Sequence, residues 1–415
     1  LVGSEMCIRD SAGATTFLMA SQMGIAQQAA RTRRRPAQGD DDNNKQRHTG
    51  MRVGFDLHVV DGLFQGSRTH VIELFSRVAK LCPEIEFVCL LDDTASFLNN
   101  YSAFALPNVR LERLAHTGSV RRLMWELPRM QRRLGLDLLH TQYIIPLPSL
   151  SKTVVTIHDV LFESHPQYFQ ALFRLRSRIL MRWAAYQAEH IFTVSEFSKH
   201  EICKRYGVAP TQVTVTTNAA DRGRFYPSTD GADLVAARGL QPGGYFLTVG
   251  RLEPRKNHVT LFKAYAALGQ DAPPLVVVGQ KDFGFDAMFA VLAQAGLQEK
   301  VVFLDNVGDR ELPALYRHCL AFAYPSLAEG FGMPPLEAMA SGVPVIAANN
   351  TALTEVVGNA GVLVESTDVQ ALRDAMQALA TDAHLRAALA QKGQEQAQRF
   401  SWDEAVSYTH LRAHE

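Results

Sequence analysis

From residue 51 onward, short apolar runs alternate with amphipathic stretches along the chain. Runs at 52–57 (RVGFDL), 87–91 (FVCLL), 153–159 (TVVTIHD), 191–195 (IFTVS) and 213–218 (VTVTTN) read as β-strands. A second series follows at 245–250, 274–279, 301–304, 320–326 and 343–349. Several runs are apolar throughout rather than alternating, the pattern of parallel strands covered on both faces. Between them the spacing turns helical. After Gly66, the residues Val71, Leu74, Phe75 and Val78 recur on one face, and Ser67 is available as an N-cap. Strand–helix alternation predicts βαβ units in open parallel sheets. It breaks at 221–243, a stretch rich in Gly, Pro, Asp and Arg, which places a hinge there with about five strands on each side. The expected fold is α/β: two doubly wound Rossmann-like domains, over 51–225 and 240–405, with parallel sheets facing across a cleft.

The ends do not share this pattern. Residues 1–11 (LVGSEMCIRDS) and 406–415 (VSYTHLRAHE) resemble translated adapter sequence from opposite strands of an assembled fragment, and are set aside from fold reasoning. Residues 12–50 are small, polar and finally basic, a composition that buries too little apolar surface to order itself. A solvated or spurious extension is expected there, with a basic arm for an anionic surface as the alternative. Segment 1–50 is therefore expected to lie outside the fold and Met51 to open it, while native sequence is expected to be missing beyond Trp402–Ala405.

Composition narrows the function classes. Of 415 residues, 47% are apolar and 20% charged, and 42 Lys plus Arg balance 42 Asp plus Glu. No charge excess points to nucleic acid as a partner. The five cysteines are scattered, form no C-x-x-C pair, and read as apolar residues in a reducing compartment. No apolar run reaches the roughly 20 residues that cross a bilayer. A cytoplasmic protein is expected, at most peripheral on the cytoplasmic face of a membrane. The segments at 120–135 and 168–186 mix arginines with aromatic and aliphatic residues. They either dock on anionic lipid or are core helices with solvated arginines.

The chemistry concentrates in two motifs. In AEGFGMPPLEAMASGVPVIAAN (328–349), Pro334 and Pro335 suit the first turn of a helix that continues to Gly342. Glu329 then lies in the loop before this helix and Glu337 in its first turns. Gly330 and Gly332 admit close backbone approach, and the helix N-terminus favours phosphate. Carboxylates flanking such a seat accept hydrogen bonds from sugar and ribose hydroxyls; the alternative is a tight loop with two solvated glutamates. The second motif, VGRLEPRKNH (249–258), follows a buried strand, at the sheet edge where doubly wound folds bind ligands. Arg251 and Lys256 are placed to clamp a diphosphate and neutralise the charge growing on a leaving group, or are ordinary surface cations. No G-x4-G-K-[ST] pattern occurs, which excludes a P-loop kinase. Within 51–405 no D-x-D pattern or His/Asp cluster calls for a cation, so neither a metal nor a cofactor is expected.

Together these motifs resemble retaining glycosyltransferase family four, also called glycosyl transferases group 1, whose fold is GT-B. The likeness runs over about 51–405 and rests on E-x7-E at Glu329 and Glu337, and on G-R-x4-K-N at Gly250, Arg251, Lys256 and Asn257. The segment TEVVGNAGVLVE (354–365) adds to it. The resemblance implies a retaining, metal-independent hexosyltransferase acting by front-face substitution. It would move a hexose, mannose favoured, from a nucleotide-sugar donor to a glycan or lipid-linked acceptor in cell-envelope polysaccharide synthesis. A nucleotide-sugar 2-epimerase and a non-catalytic nucleotide-sugar-binding protein are the alternatives. By resemblance, Arg251 and Lys256 grip the donor diphosphate, Glu329 the transferred sugar and Glu337 the ribose. Backbone near Phe331, Gly332 and Met333 meets phosphate and sugar, and Val307 lies near the base. Gly66 and Ser67 belong to a glycine-rich loop facing the donor, although FQGSRTH has one glycine where the family has two. His158 contacts the transferred sugar, Asp159 orients its ring or caps the next helix, and Ser195 is an interdomain contact or an N-cap. The family's last helix crosses back to the N-terminal domain, and its loss is expected with the missing native end.

Overall fold

The structure is a computed structural model that describes residues 50–60, 66–115, 118–281 and 286–407; the expectations for 1–49 and 408–415 lie outside the described residues. The first sheet comprises β1 (Arg52–Asp56), β2 (Glu86–Leu91), β3 (Val109–Arg113), β4 (Leu138–Gln142), β5 (Lys152–Thr156), β6 (His190–Thr193) and β7 (Val213–Val215). The second comprises β8 (Phe246–Val249), β9 (Leu275–Val278), β10 (Val301–Leu304), β11 (Ala321–Tyr324), β12 (Val345–Ala348) and β13 (Val362–Val364). The orders are β3-β2-β1-β4-β5-β6-β7 and β10-β9-β8-β11-β12-β13, so the second sheet repeats the first six positions of the first. Every pairing is parallel. Strand order reverses between β1 and β4 and between β8 and β11, and the crevices at such reversals are where these sheets hold ligands.

All ten strands expected from the apolar runs are present, and β3, β4 and β13 join them. β3 is an edge strand whose Arg110 and Arg113 are exposed, so its pattern is too polar to stand out. β4 is central and wholly buried, yet half polar: His140 lies 2.8 Å from Thr156 Oγ1, and Gln142 is occupied at the cleft. The helix Gly66–Leu81 packs Val71, Leu74, Phe75 and Val78 onto the first sheet, with the Phe75 ring stacked 4.0 Å from Phe55. Because that helix starts at Gly66, Ser67 sits within its first turn rather than serving as its N-cap.

Beyond β7 the chain passes to the second domain, where Phe225, Val235 and Leu240 enter the core. It then returns. The helix Trp402–Ser407 lies on Gly66–Leu81, Arg77 Nε donates to Asp403 Oδ1 at 2.7 Å, and Val406 joins the N-terminal core. The described chain thus includes a short helix that crosses back to the N-terminal domain. Among the described residues no helix is long and apolar enough to cross a membrane.

Candidate active site

Two loops leaving the C-terminal ends of β8 and β11 meet at the second sheet's reversal point. After β8 the chain makes a short turn, Pro254–Lys256, and Asn257 takes a left-handed conformation (φ 59°) that its side chain secures by donating to the carbonyls of Pro325 (2.9 Å) and Ser366 (2.6 Å). This turn delivers two cations to the loop after β11. Lys256 Nζ donates to Glu329 Oε1 at 2.7 Å and to the Tyr324 hydroxyl at 2.6 Å. Arg255 Nη1 donates to Glu329 Oε2 at 2.8 Å and to the Ala328 carbonyl at 2.7 Å, while its other nitrogen reaches Glu253 at 2.6 Å. Tyr324 and Ser326 also donate to Glu329 Oε1. Burial alone would raise the Glu329 carboxyl, but Arg255 and Lys256 overcome that and hold it at about 2. The side chain is ionised and committed to orienting two cations.

Arg255 is the principal residue that the motif reading passed over. It stands one place before Lys256 in a loop already identified as basic, so its presence was visible and its role was not. Arg251, expected at the diphosphate, is exposed on the same loop.

The helix Met333–Ala340 begins at Gly332, whose φ of 123° only glycine adopts readily. Pro334 and Pro335 contribute no N–H, so an anion at this terminus is met by the amides of Gly332 and Met333. The Phe331 side chain points away into the core, 5.7 Å from the Phe400 ring, leaving its backbone to the site. Glu337 lies one turn into the helix and accepts from the Tyr316 hydroxyl at 2.9 Å. Burial raises its carboxyl to about 7, with Tyr316 and Arg224 opposing. Val307 lies half-buried in the loop after β10, against the same core.

The first domain contributes His158, two residues beyond β5. Its Nε2 lies 2.8 Å from Gln142 Oε1, so in the neutral ring Nε2 carries the proton and Nδ1 is the acceptor. Burial, reinforced by His70 and His140, holds His158 well below the ordinary histidine range. The ring is packed edge-on against His70 (4.9 Å) and lies 5.2 Å from Tyr143, which adopts a positive φ of 62°. His70 is fixed by Asn218 Oδ1 at 2.8 Å and backed by Trp402 at 5.8 Å. These supporting residues carry no motif signal. Gly66 is exposed and Ser67 buried at the start of the helix that bears His70.

The two halves touch beside the knot. Ser195 Oγ donates to the Gly330 carbonyl at 2.6 Å and accepts from Ser198 N at 3.1 Å, so it is both interdomain contact and N-cap. A Cβ at Gly330 would stand 2.7 Å from Asp159 Cβ, which is why this position is glycine. Asp159 Oδ1 accepts from Leu161 N at 3.0 Å, at the start of the next helix. Glu355 accepts from the amides of Glu196 (2.9 Å) and Phe197 (2.6 Å), closing a helix N-terminus across the domains. The geometry therefore gathers Lys256, Glu329, Gly330 and His158 around one cleft, with Glu337 on the adjoining helix. Such a site can bind an anionic group between cations and helix terminus, and meet a sugar with the neutral imidazole.

The family profile of Glycosyl transferases group 1 matches residues 240–396, and that of Glycosyltransferase Family 4 matches 64–224. O-antigen chain mannosyltransferase B of Escherichia coli is 34% identical over 269 residues, 63% of this chain and 69% of that protein. O-antigen chain mannosyltransferase RfbU of Salmonella typhimurium is 28% identical over 286 residues, covering 66% of this chain and 76% of that one. Among solved structures, sucrose-phosphate synthase from Thermosynechococcus elongatus shares the fold with a TM-score of 0.70 at 20% identity, over 88% of this chain and 98% of that one.

Proposed function

The chain belongs to the glycosyl transferases group 1 and is a glycosyltransferase, and we propose that it moves mannose from a nucleotide-sugar donor to a glycan or lipid-linked acceptor of a cell-envelope polysaccharide. The observation that carries the reading is the Arg255–Glu329–Lys256 knot at the β8/β11 reversal, facing His158 across the cleft. Mannose and the envelope polysaccharide rest on the names of the two O-antigen relatives.

In this mechanism Arg251, Arg255 and Lys256, with the amides at Gly332 and Met333, neutralise the donor diphosphate as the bond from anomeric carbon to phosphate oxygen breaks. The acceptor hydroxyl attacks from the same face, and its proton passes to the departing phosphate oxygen. Configuration is retained. The His158 Nδ1 accepts from a hydroxyl of the transferred sugar, and Glu337 accepts from the ribose. Glu329 acts chiefly through the cations it holds. Protein cations and helix dipole do the charge stabilisation, so no metal is required.

A panel of nucleotide sugars tests the assignment by binding and slow hydrolysis. One donor, GDP-mannose foremost, is expected to bind and be hydrolysed by the wild type, and not to be hydrolysed by Glu329→Ala. Binding of no nucleotide sugar would remove the assignment of the cleft. With an acceptor in hand, an inverted product anomer would overturn the retaining step, and activity lost in chelator but restored by magnesium or manganese would overturn metal independence. Release of an epimerised sugar without acceptor would favour the 2-epimerase alternative.

A further inference from the structure

Thirteen large apolar side chains are exposed among the described residues, and eleven of them fall between Val120 and Tyr186. The helix Ala171–Gln187 is inverted relative to an ordinary surface helix: it buries Ser177, Met181, Ala184 and Ala185 and turns its large residues outward. Leu172 (79% exposed), Leu175, Ile179 (61%), Trp183 and Tyr186 form one stripe at helical spacing. Arg176, Arg178 and Arg182 flank it, whereas Arg174 turns towards the buried face, and the helix carries no acidic residue. Arg178 is paired with Glu163 at 2.9 Å and Arg182 lies over the Tyr186 ring. Beside this helix, the π-turn Arg122–Glu126 turns Arg122 inward to Asp56 and leaves Met124 and Trp125 (66%) outside, with Arg121, Arg129, Arg132 and Arg133 exposed around them. A cavity of about 680 Å³ lined by Met124, Leu147, Pro148 and Trp183 joins the two elements into one face.

We infer that this face docks the enzyme on an anionic bilayer. Tryptophan, tyrosine and long aliphatic side chains ringed by arginine match the headgroup boundary, where apolar groups enter the acyl region and guanidinium groups meet lipid phosphate. A second copy fits less well, because a two-fold contact through this stripe sets arginine against arginine. The cavity sits at the N-terminal ends of β5 and β6, opposite the end that bears His158, so the face is distinct from the catalytic cleft. The helix spans the distance between them. Its first turn reaches back to the loop after His158, with Phe173 6.0 Å from both Phe162 and Phe169. The inference deepens the lipid-linked acceptor reading and rests on it: an enzyme held by this face works beside acceptors that stay in the membrane.

Flotation of the full chain with vesicles of phosphatidylcholine, alone or mixed with phosphatidylglycerol, tests it. Binding is expected only with the anionic lipid, and at least tenfold weaker at about 1 M salt, where the screening length falls to about 3 Å. The pair Arg176→Glu, Arg182→Glu is expected to lower partitioning about tenfold or more. The pair Ile179→Ser, Trp183→Ser is expected to abolish it while circular dichroism and donor hydrolysis stay unchanged. No binding at low salt, equal binding to neutral vesicles, or indifference to both pairs of substitutions would overturn the inference. So would self-association in solution that the same substitutions abolish, which identifies a second copy as the occupant. An unmodified chain that hydrolyses donor but does not float sinks the docking face alone, and one that floats but neither binds nor hydrolyses any donor sinks the catalytic assignment alone.

Discussion

Replacing Glu329 with glutamine keeps the side chain's shape and removes the charge at the centre of the knot. Within the fold the carboxyl is held at about 2 against an ordinary value of 4.5, because Arg255 and Lys256 outweigh the cost of its burial. A difference of about 2.5 units corresponds to about 3 kcal/mol in favour of the ionised form. The sign follows from the depressed value: the stabilisation is present in full above pH 4.5 and is lost as pH falls from there towards 2. Glutamine also leaves two buried cations facing one another, and removing one partner of a buried pair costs about 3–5 kcal/mol. We therefore expect Glu329→Gln to lower the stability of the C-terminal domain by about 3 kcal/mol at neutral pH. Hydrogen exchange of the β8 and β11 amides, read at a series of pH values for both proteins, measures the loss in the domain concerned. The gap between wild type and variant should narrow as pH falls below 4.5. A gap under about 0.5 kcal/mol at pH 7, the scale of a neutral surface change, or one that does not narrow in acid, would refute the claim that Glu329 is a charge anchor.

The other carboxylate behaves in the opposite sense. Burial raises Glu337 to about 7 from 4.5, so its contribution makes the wild type lose stability as pH rises across that interval, and Glu337→Gln is expected to lack that decline; parallel midpoint-versus-pH curves would count against it. His158→Ala is expected to slow turnover about a hundredfold or more while donor affinity changes little, as separate binding and single-turnover measurements will show; an unaltered rate removes His158 from the chemistry. Trp402→Ala empties a buried site behind His70 and is expected to cost about 3 kcal/mol or more. Urea unfolding of the N-terminal domain checks this, and unchanged stability would mean that the returning helix is not docked as described.

Much of this architecture was legible before any coordinates, for a simple reason. Parallel strands buried on both faces write continuous apolar runs, and LVVV at β9 or VIAA at β12 can hardly be read otherwise. β4 escaped because its burial is of another kind: His140, Thr141 and Gln142 line the middle of a sheet and carry polar atoms that a hydropathy pattern counts as surface. The motifs located Glu329, Glu337 and Lys256 because glycine, proline and charge at fixed spacing are local properties. Which cation meets which carboxylate is set by how two loops from adjacent strands converge, and Arg255 is separated from Glu329 by 74 residues. Likewise Gln142, Asn218 and Trp402 come to His158 and His70 from three distant segments. The arginine-rich helix Ala171–Gln187 left two readings open because periodicity shows that a stripe exists and not which side of it meets the core.

The backbone passes between the domains twice, once after β7 and once before Trp402. A single linker would let the halves tumble like beads on a string, whereas two tethers at separate points leave rotation about the line joining them as the easy motion. Two tethers restrict rigid-body opening to that one rotation, and the close approach of Gly330 to Asp159 and of Glu355 to its helix end marks the closed register. The second tether also ends with Trp402 against His70, which packs in turn on His158, so the link between the domains is anchored directly behind that imidazole.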